Sequence, residues 1–106
     1  MNINTFIENI NRKKYVLSTL LKQAFTMEIK STQNNLTHYI EFTSNGAKVV
    51  KTIPINVDFY IEGSESYIDD VLMNKTSLKQ MISFGEIKIK GSYRSFLKVD
   101  AMLKLS

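Results

Sequence analysis

FYIEGSESYIDDVLMNKTSLKQMISFGEIKIKG, residues 59–91, is the stretch whose reading decides the fold. It predicts a strand, a capped helix, a second capped helix and a strand closed by glycine. Phe59 and Ile61 alternate with Tyr60 and Glu62, the two-residue period of a half-buried strand. Ser64 or Ser66 is a good N-cap, and Glu65, Asp69 and Asp70 crowd the early turns, where negative charge suits the helix dipole. Ile68, Val71 and Leu72 form one apolar face. Thr76 or Ser77 caps the next helix, whose buried face is Leu78, Met81 and Ile82. Phe84-Gly85 then turns into a strand with Ile87 and Ile89 on one side and Lys88 and Lys90 on the other. The segment holds a row of acids but neither histidine nor cysteine. Such a stretch encloses an apolar space rather than a reaction centre, which points to a greasy ligand and away from catalysis.

Working outward, Ser92 opens a C-terminal helix in which Tyr93, Phe96, Leu97, Val99, Ala101, Met102, Leu103 and Leu105 cover several sides. A helix apolar on several sides must be covered on several sides, by the sheet, by a ligand or by a second subunit. Upstream, Ile55, Val57, Phe59 and Ile61 alternate with polar residues and extend the strand expectation back to Ile55. Pro54 marks a strand end or an edge, because it cannot donate to a ladder. Ala47 to Ile53 reads as a strand returning from a type I′ turn at Ser44-Asn45-Gly46. His38, Ile40 and Phe42, and before them Phe25, Met27 and Ile29, predict two further strands around the polar turn from Ser31 to Asn35. Residues 3–24 carry Ile3, Phe6, Ile7, Ile10, Leu17, Leu20, Leu21 and Ala24 at helical spacing, with a break expected near Lys14. Asn4 or Thr5 could cap that helix, with Glu8 three residues after Thr5 as in a capping box. The fold class is therefore α+β: a largely antiparallel sheet covered mainly on one face by helices.

The 106 residues suit one domain, 1–106, and not two. Hydrophobic residues make up 43% and charged residues 23%, ordinary for a globular protein. No window nears about 18 unbroken apolar residues, so no membrane-spanning helix is expected. The N-terminus lacks the basic region and apolar run of a signal peptide. Absence of cysteine rules out disulfides and thiolate metal sites and fits a reducing, cytoplasmic setting. The net charge of +4 is dispersed, densest at Arg12, Lys13 and Lys14. That cluster is either a solvated helix face or a weak attraction to anionic headgroups at a membrane surface. No nucleic-acid signature accompanies it.

The order and spacing of Phe59-Tyr60-Ile61-Glu62-Gly63-Ser64-Glu65, the helix to Leu72, the step Thr76-Ser77-Leu78 into Met81, and Phe84-Gly85-Glu86-Ile87-Lys88-Ile89-Lys90-Gly91 resemble the sterol carrier protein type-two family. The resemblance is carried by residues 57–105; residues 1–56 fit the expected order without a distinctive motif. It implies a five-stranded, sterol-carrier-like sheet covered by helices, a hydrophobic tunnel between them, and binding of fatty acids, acyl chains, sterols or related lipids. It implies no shared catalytic residues. Met73-Asn74-Lys75 lacks the glycine often found after the first of the paired helices, and the chain ends Lys104-Leu105-Ser106 rather than in the peroxisomal address of many eukaryotic members. Abundant Asn, Lys and Ile point to an AT-rich, bacterial genome, where a fatty acid is a better expectation than a sterol.

Three functional readings follow. The first is non-catalytic binding or transfer of a lipid, with Ile68, Leu72, Leu78, Met81, Ile82, Phe84, Phe96 and Leu97 as the pocket wall. The same eight residues could equally be plain core. A dry cavity of about 300 Å³ would cost on the order of 7 kcal/mol at ~24 cal/mol per Å³, so a space of that size is occupied by a ligand or by side chains. The second reading is an interaction domain, a homodimer that keeps the fold with a closed tunnel. The third, an enzyme, finds little support. His38 stands alone, no metal-ligand spacing exists, and the glycines at 46, 63, 85 and 91 form no phosphate-binding loop. No cofactor is expected.

Overall fold

Apolar residues at every second position place one face of Phe25–Ser31 (β1) wholly in the core, and this strand becomes the centre of the sheet. In the computed structural model, which describes residues 1–105, Thr37–Thr43 (β2), Gly46–Val50 (β3), Phe59–Gly63 (β4) and Ile87–Gly91 (β5) complete it. The order is β3-β2-β1-β4-β5. Three of its pairings are antiparallel, and the β1–β4 pairing is parallel, with Met27 opposite Phe59 and Ile29 opposite Ile61. A largely antiparallel sheet can leave one face wet, and here it does. Phe25, Met27, Ile29, Ile40, Phe42, Phe59, Ile61 and Ile87 are buried on the inner face. Glu28, Lys30, Tyr60, Glu62, Lys88 and Lys90 line a shallow depression on the outer one.

Helices Ile3–Arg12 (α1), Lys14–Leu20 (α2), Glu65–Leu72 (α3), Leu78–Ser83 (α4) and Tyr93–Leu105 (α5) cover the inner face. The expected break in the N-terminal helix falls at Lys13, between α1 and α2. The Lys13 ammonium donates to the carbonyl of Leu105 at 2.8 Å, tying that break to the end of α5. Phe6, Ile10 and Leu17 point into the core beside Val99, Met102 and Leu103. Ser64, Ser77 and Ser92 each accept a backbone N–H one turn on, from Tyr67, Gln80 and Ser95 respectively. These three hydroxyls start α3, α4 and α5, each satisfying a donor that the helix itself leaves open.

Several expectations change in detail. The capping box at Thr5 and Glu8 does not form: α1 starts earlier, at Ile3, and its N-cap residue Asn2 makes no side-chain cap. Its entry is held instead from α3, where Glu65 accepts from the Met1 ammonium and Asp69 from the Asn2 N–H, both at 2.6 Å. The bond to Glu65 raises the pKa of that ammonium above its usual value. The hairpin between β2 and β3 forms, but positive φ falls at Gly46 (+132°) and not at the turn residues Ser44 and Asn45, so the turn is not type I′. Finally, β3 ends at Val50 and β4 begins at Phe59, so Ile53–Val57 belongs to neither strand. The topology explains this. β3 and β4 both run parallel to β1, so the chain must travel back along the sheet between them, and residues 51–58 make that return. Their alternation of apolar and polar residues imitates a strand without a partner to pair with.

The edge strand β3 is closed by a side chain. Asn11 of α1 accepts from the Ala47 N–H at 2.7 Å and donates to the Ala47 carbonyl at 3.0 Å, as a neighbouring strand would. An unpaired edge is a template for aggregation, and this amide removes part of it.

Candidate functional site

The opposite edge of the sheet carries the candidate site. Strand β5 is an edge strand, paired only with β4. Ile89 lies opposite Ile61 and so faces the helices, but with no strand beyond β5 it is only partly covered. Helix α4 brings Ile82 and Lys79 to one side, and the start of α5 brings Tyr93 and Phe96 to the other. With Gly91 and Ser92 at the turn between them, these residues line a groove of about 360 Å³ that is open to solvent. Its apolar floor, Ile82, Ile89 and Phe96, packs directly on the main core. Phe96 stands 6.3 Å from the Tyr93 ring, stacked with it, and 6.4 Å from the ring of buried Phe59.

Gly91 shapes this turn. Its φ is +148°, a region side-chain-bearing residues avoid, and a Cβ there would lie 2.7 Å from the Phe59 ring and 3.0 Å from the Asp58 carbonyl oxygen. Only glycine lets β5 pass so close to β4 and turn at once into α5.

The eight expected wall residues separate into three groups. Ile68, Leu72, Leu78 and Met81 are buried in the core. Ile82 and Phe96 are half-buried and meet in the groove. Phe84 and Leu97 are exposed, at 61% and 48%. The sequence reading missed Ile89, Tyr93 and Lys79 as groove residues. Ile89 carried a usable signal, because it alternates with Lys88 and Lys90, but its position at a half-covered edge depends on strand order.

The groove is poor in chemistry. Lys79 at its rim is its one ionisable group besides the Tyr93 phenol. His38 lies elsewhere, half-buried on β2 beside Thr37, Tyr39 and Lys51. Among the described residues no group of three or more His, Cys, Asp or Glu side chains could hold a metal ion. On the wet face the Tyr39 phenol has a raised pKa, first from partial burial and then from the Glu28 carboxylate. Among the described residues no helix is long and apolar enough to cross a membrane. What the groove can do is shelter hydrocarbon.

Comparison with known proteins agrees with this architecture. The chain is 41% identical over 51 residues to the SCP2 domain-containing protein YusD of Bacillus subtilis, a match covering 48% of this chain and 43% of that relative. The aligned stretch is thus less than half of the relative's length. Among solved structures, the sec-alkylsulfatase Pisa1 from Pseudomonas superposes with a TM-score of 0.73 at 12% identity, over 94% of this chain but only 15% of the enzyme. The solution structure of palmitated SCP2L2 from Aedes aegypti superposes with a TM-score of 0.65 at 14% identity, covering 97% of this chain and 95% of that one. At such identities these structures speak for the fold alone. The sequence pattern of the SCP-2 sterol transfer family matches residues 3–104, and with the sheet order and helix cover described above the chain belongs to that family.

Proposed function

We propose that this chain is a non-catalytic carrier that binds a fatty acid, an acyl chain or another lipid along the groove between α4, β5 and α5. The observation that carries this reading is the groove itself. Ile82, Ile89 and Phe96 form an apolar floor that is neither sealed by the fold nor covered by polar residues. Ligand sites are concave and mostly apolar, with few polar groups to orient the ligand, and Lys79 and Ser92 would serve that purpose. Family membership supports a lipid as the occupant, and the SCP2L2 structure from Aedes aegypti is that of the palmitated protein. In this reading Ile82 and Phe96 touch the ligand, and Phe84 and Leu97 flank the entrance. Ile68, Leu72, Leu78 and Met81 back the groove from the core without touching the ligand. We assign the work of this single domain to the cytoplasm, in keeping with a chain that has no cysteine.

A second reading has its own observation. Phe84, Tyr93 and Leu97 are 61%, 75% and 48% exposed, an apolar surface a second copy could cover, giving a homodimer with no ligand. Native mass spectrometry on gently purified protein, repeated after delipidation and titration with medium- and long-chain fatty acids, separates the two. An adduct of lipid mass restored by titration supports the carrier. A dimer without adduct at any ratio refutes it in favour of the interaction domain.

A further inference from the structure

The return segment between β3 and β4 presents two isoleucines to solvent for no reason internal to the fold. Ile53 is 81% exposed and Ile55 99% exposed. The segment is nonetheless anchored. Pro54 and Val57 are half-buried. At its end the Asp58 N–H donates to the Thr26 carbonyl at 2.9 Å, and the Thr26 N–H donates to the Asp58 carboxylate at 2.8 Å. The isoleucines therefore stand out from a segment held at both ends, on either side of a proline with fixed φ. From Ser44 to Val57 the only charged residues are Lys48 and Lys51. Lys48 faces Glu41 at 3.6 Å, whereas Lys51 pairs with no acid among the described residues and shares a depression with Ile53, Val49 and Thr37. Leu36, next to Thr37, is 52% exposed.

We propose that the segment Lys51–Val57 docks the protein on a lipid bilayer, with Ile53 and Ile55 entering the headgroup–acyl boundary and Lys51 meeting anionic headgroups. The size of the patch favours this partner. A specific protein interface buries roughly 800 Å² on each side around aromatic or arginine anchors. Two isoleucines on a narrow loop supply neither that area nor those anchors. A bilayer requires no complementary shape, and its attraction grows with apolar area inserted and with each basic residue near anionic lipid. The segment runs from the β3 edge to the start of β4, whereas the groove lies along the β5 edge, and neither Ile53 nor Ile55 lines it. This inference does not depend on what the groove binds, and its test reads vesicle attachment rather than ligand uptake.

Co-sedimentation with phosphatidylcholine vesicles, with and without phosphatidylglycerol, measures the docking. The unaltered chain should bind vesicles containing phosphatidylglycerol more strongly than neutral ones. The double variant I53S/I55S, altered only at exposed positions, should keep the melting temperature and lose vesicle affinity at least tenfold. K51Q should lose about fivefold on phosphatidylglycerol vesicles and nothing on neutral ones, the factor one lysine contributes at an anionic surface. I55S alone, at the more exposed position, should give an intermediate loss even if the double variant folds poorly. Failure of the unaltered chain to bind either vesicle overturns the proposal. So does unchanged binding by the isoleucine variants, or a dimer in solution that they convert to monomer.

Discussion

Tryptophan placed at Leu72 and at Ile82 should have opposite consequences, although both residues face inward on neighbouring helices. Leu72 is 1% exposed within the continuous core, so an indole there must displace packed neighbours. Overpacking of that kind costs about 1–3 kcal/mol. For a domain near this size each kcal/mol lowers Tm by about 4–8 °C, so Leu72→Trp should lower it by about 4–24 °C. Ile82 borders the open groove of about 360 Å³, and an indole there can lie along the floor beside Ile89 and Phe96. Ile82 is half-buried and packs on the core with part of its side chain, so the effect of the substitution on stability should stay at or below about 1 kcal/mol, the low end of the cost at Leu72. The same indole would occupy the space assigned to the ligand, so Ile82→Trp should abolish uptake of a fluorescent fatty acid while folded Leu72→Trp protein retains it. Thermal denaturation followed by circular dichroism, with a fluorescence binding titration on the same samples, measures both. A Leu72→Trp variant that melts normally but no longer takes up ligand would refute the reasoning, since it would mean that the vacant space lies inside the core and not along the β5 edge.

Three further outcomes are expected. Ser31 is fully buried at the end of β1 and its hydroxyl has no hydrogen-bond partner among the described residues, so Ser31→Ala should raise stability by about 1 kcal/mol, read as a Tm increase of a few degrees; a loss of that size would reveal a partner for the hydroxyl. Asn74 holds φ at +58° after α3, so Asn74→Val should cost about 1–2 kcal/mol in urea denaturation whereas Asn74→Gly should be tolerated; equal effects would show that the left-handed backbone is not the constraint. Asn11→Ala removes both bonds to Ala47 and should cost about 1–3 kcal/mol, with faster hydrogen exchange confined to β3 if the amide acts as a surrogate strand; uniform loss of protection would argue against that role.

Asn74 also shows why a missing residue need not mean a missing feature. The expected glycine after the first of the paired helices is absent, yet the left-handed turn it would have supplied is present. Asparagine is among the few other residues that enter this region readily.

Local chemistry was legible where a residue acts on its own neighbours. Ser64, Ser77 and Ser92 cap helices with donors three residues away, and the strands around Phe25–Ile29 and Phe59–Ile61 follow from alternation alone. Such features depend on spacing along the chain, which the sequence contains in full. Membership of a sterol-carrier-like α+β fold follows from the order of these elements. Tertiary structure alone decided which apolar faces were covered. Periodicity says that Ile55 could share a face with Phe59, but Phe59 is fully buried and Ile55 is 99% exposed, because only one of them has a neighbouring strand. For the same reason Leu72 ended in the core, Ile82 beside a groove and Leu97 in solvent, though all three repeat at helical spacing. Burial is a property of what lies opposite a residue, and the β3-β2-β1-β4-β5 order that sets this arises from pairings between residues far apart in the chain.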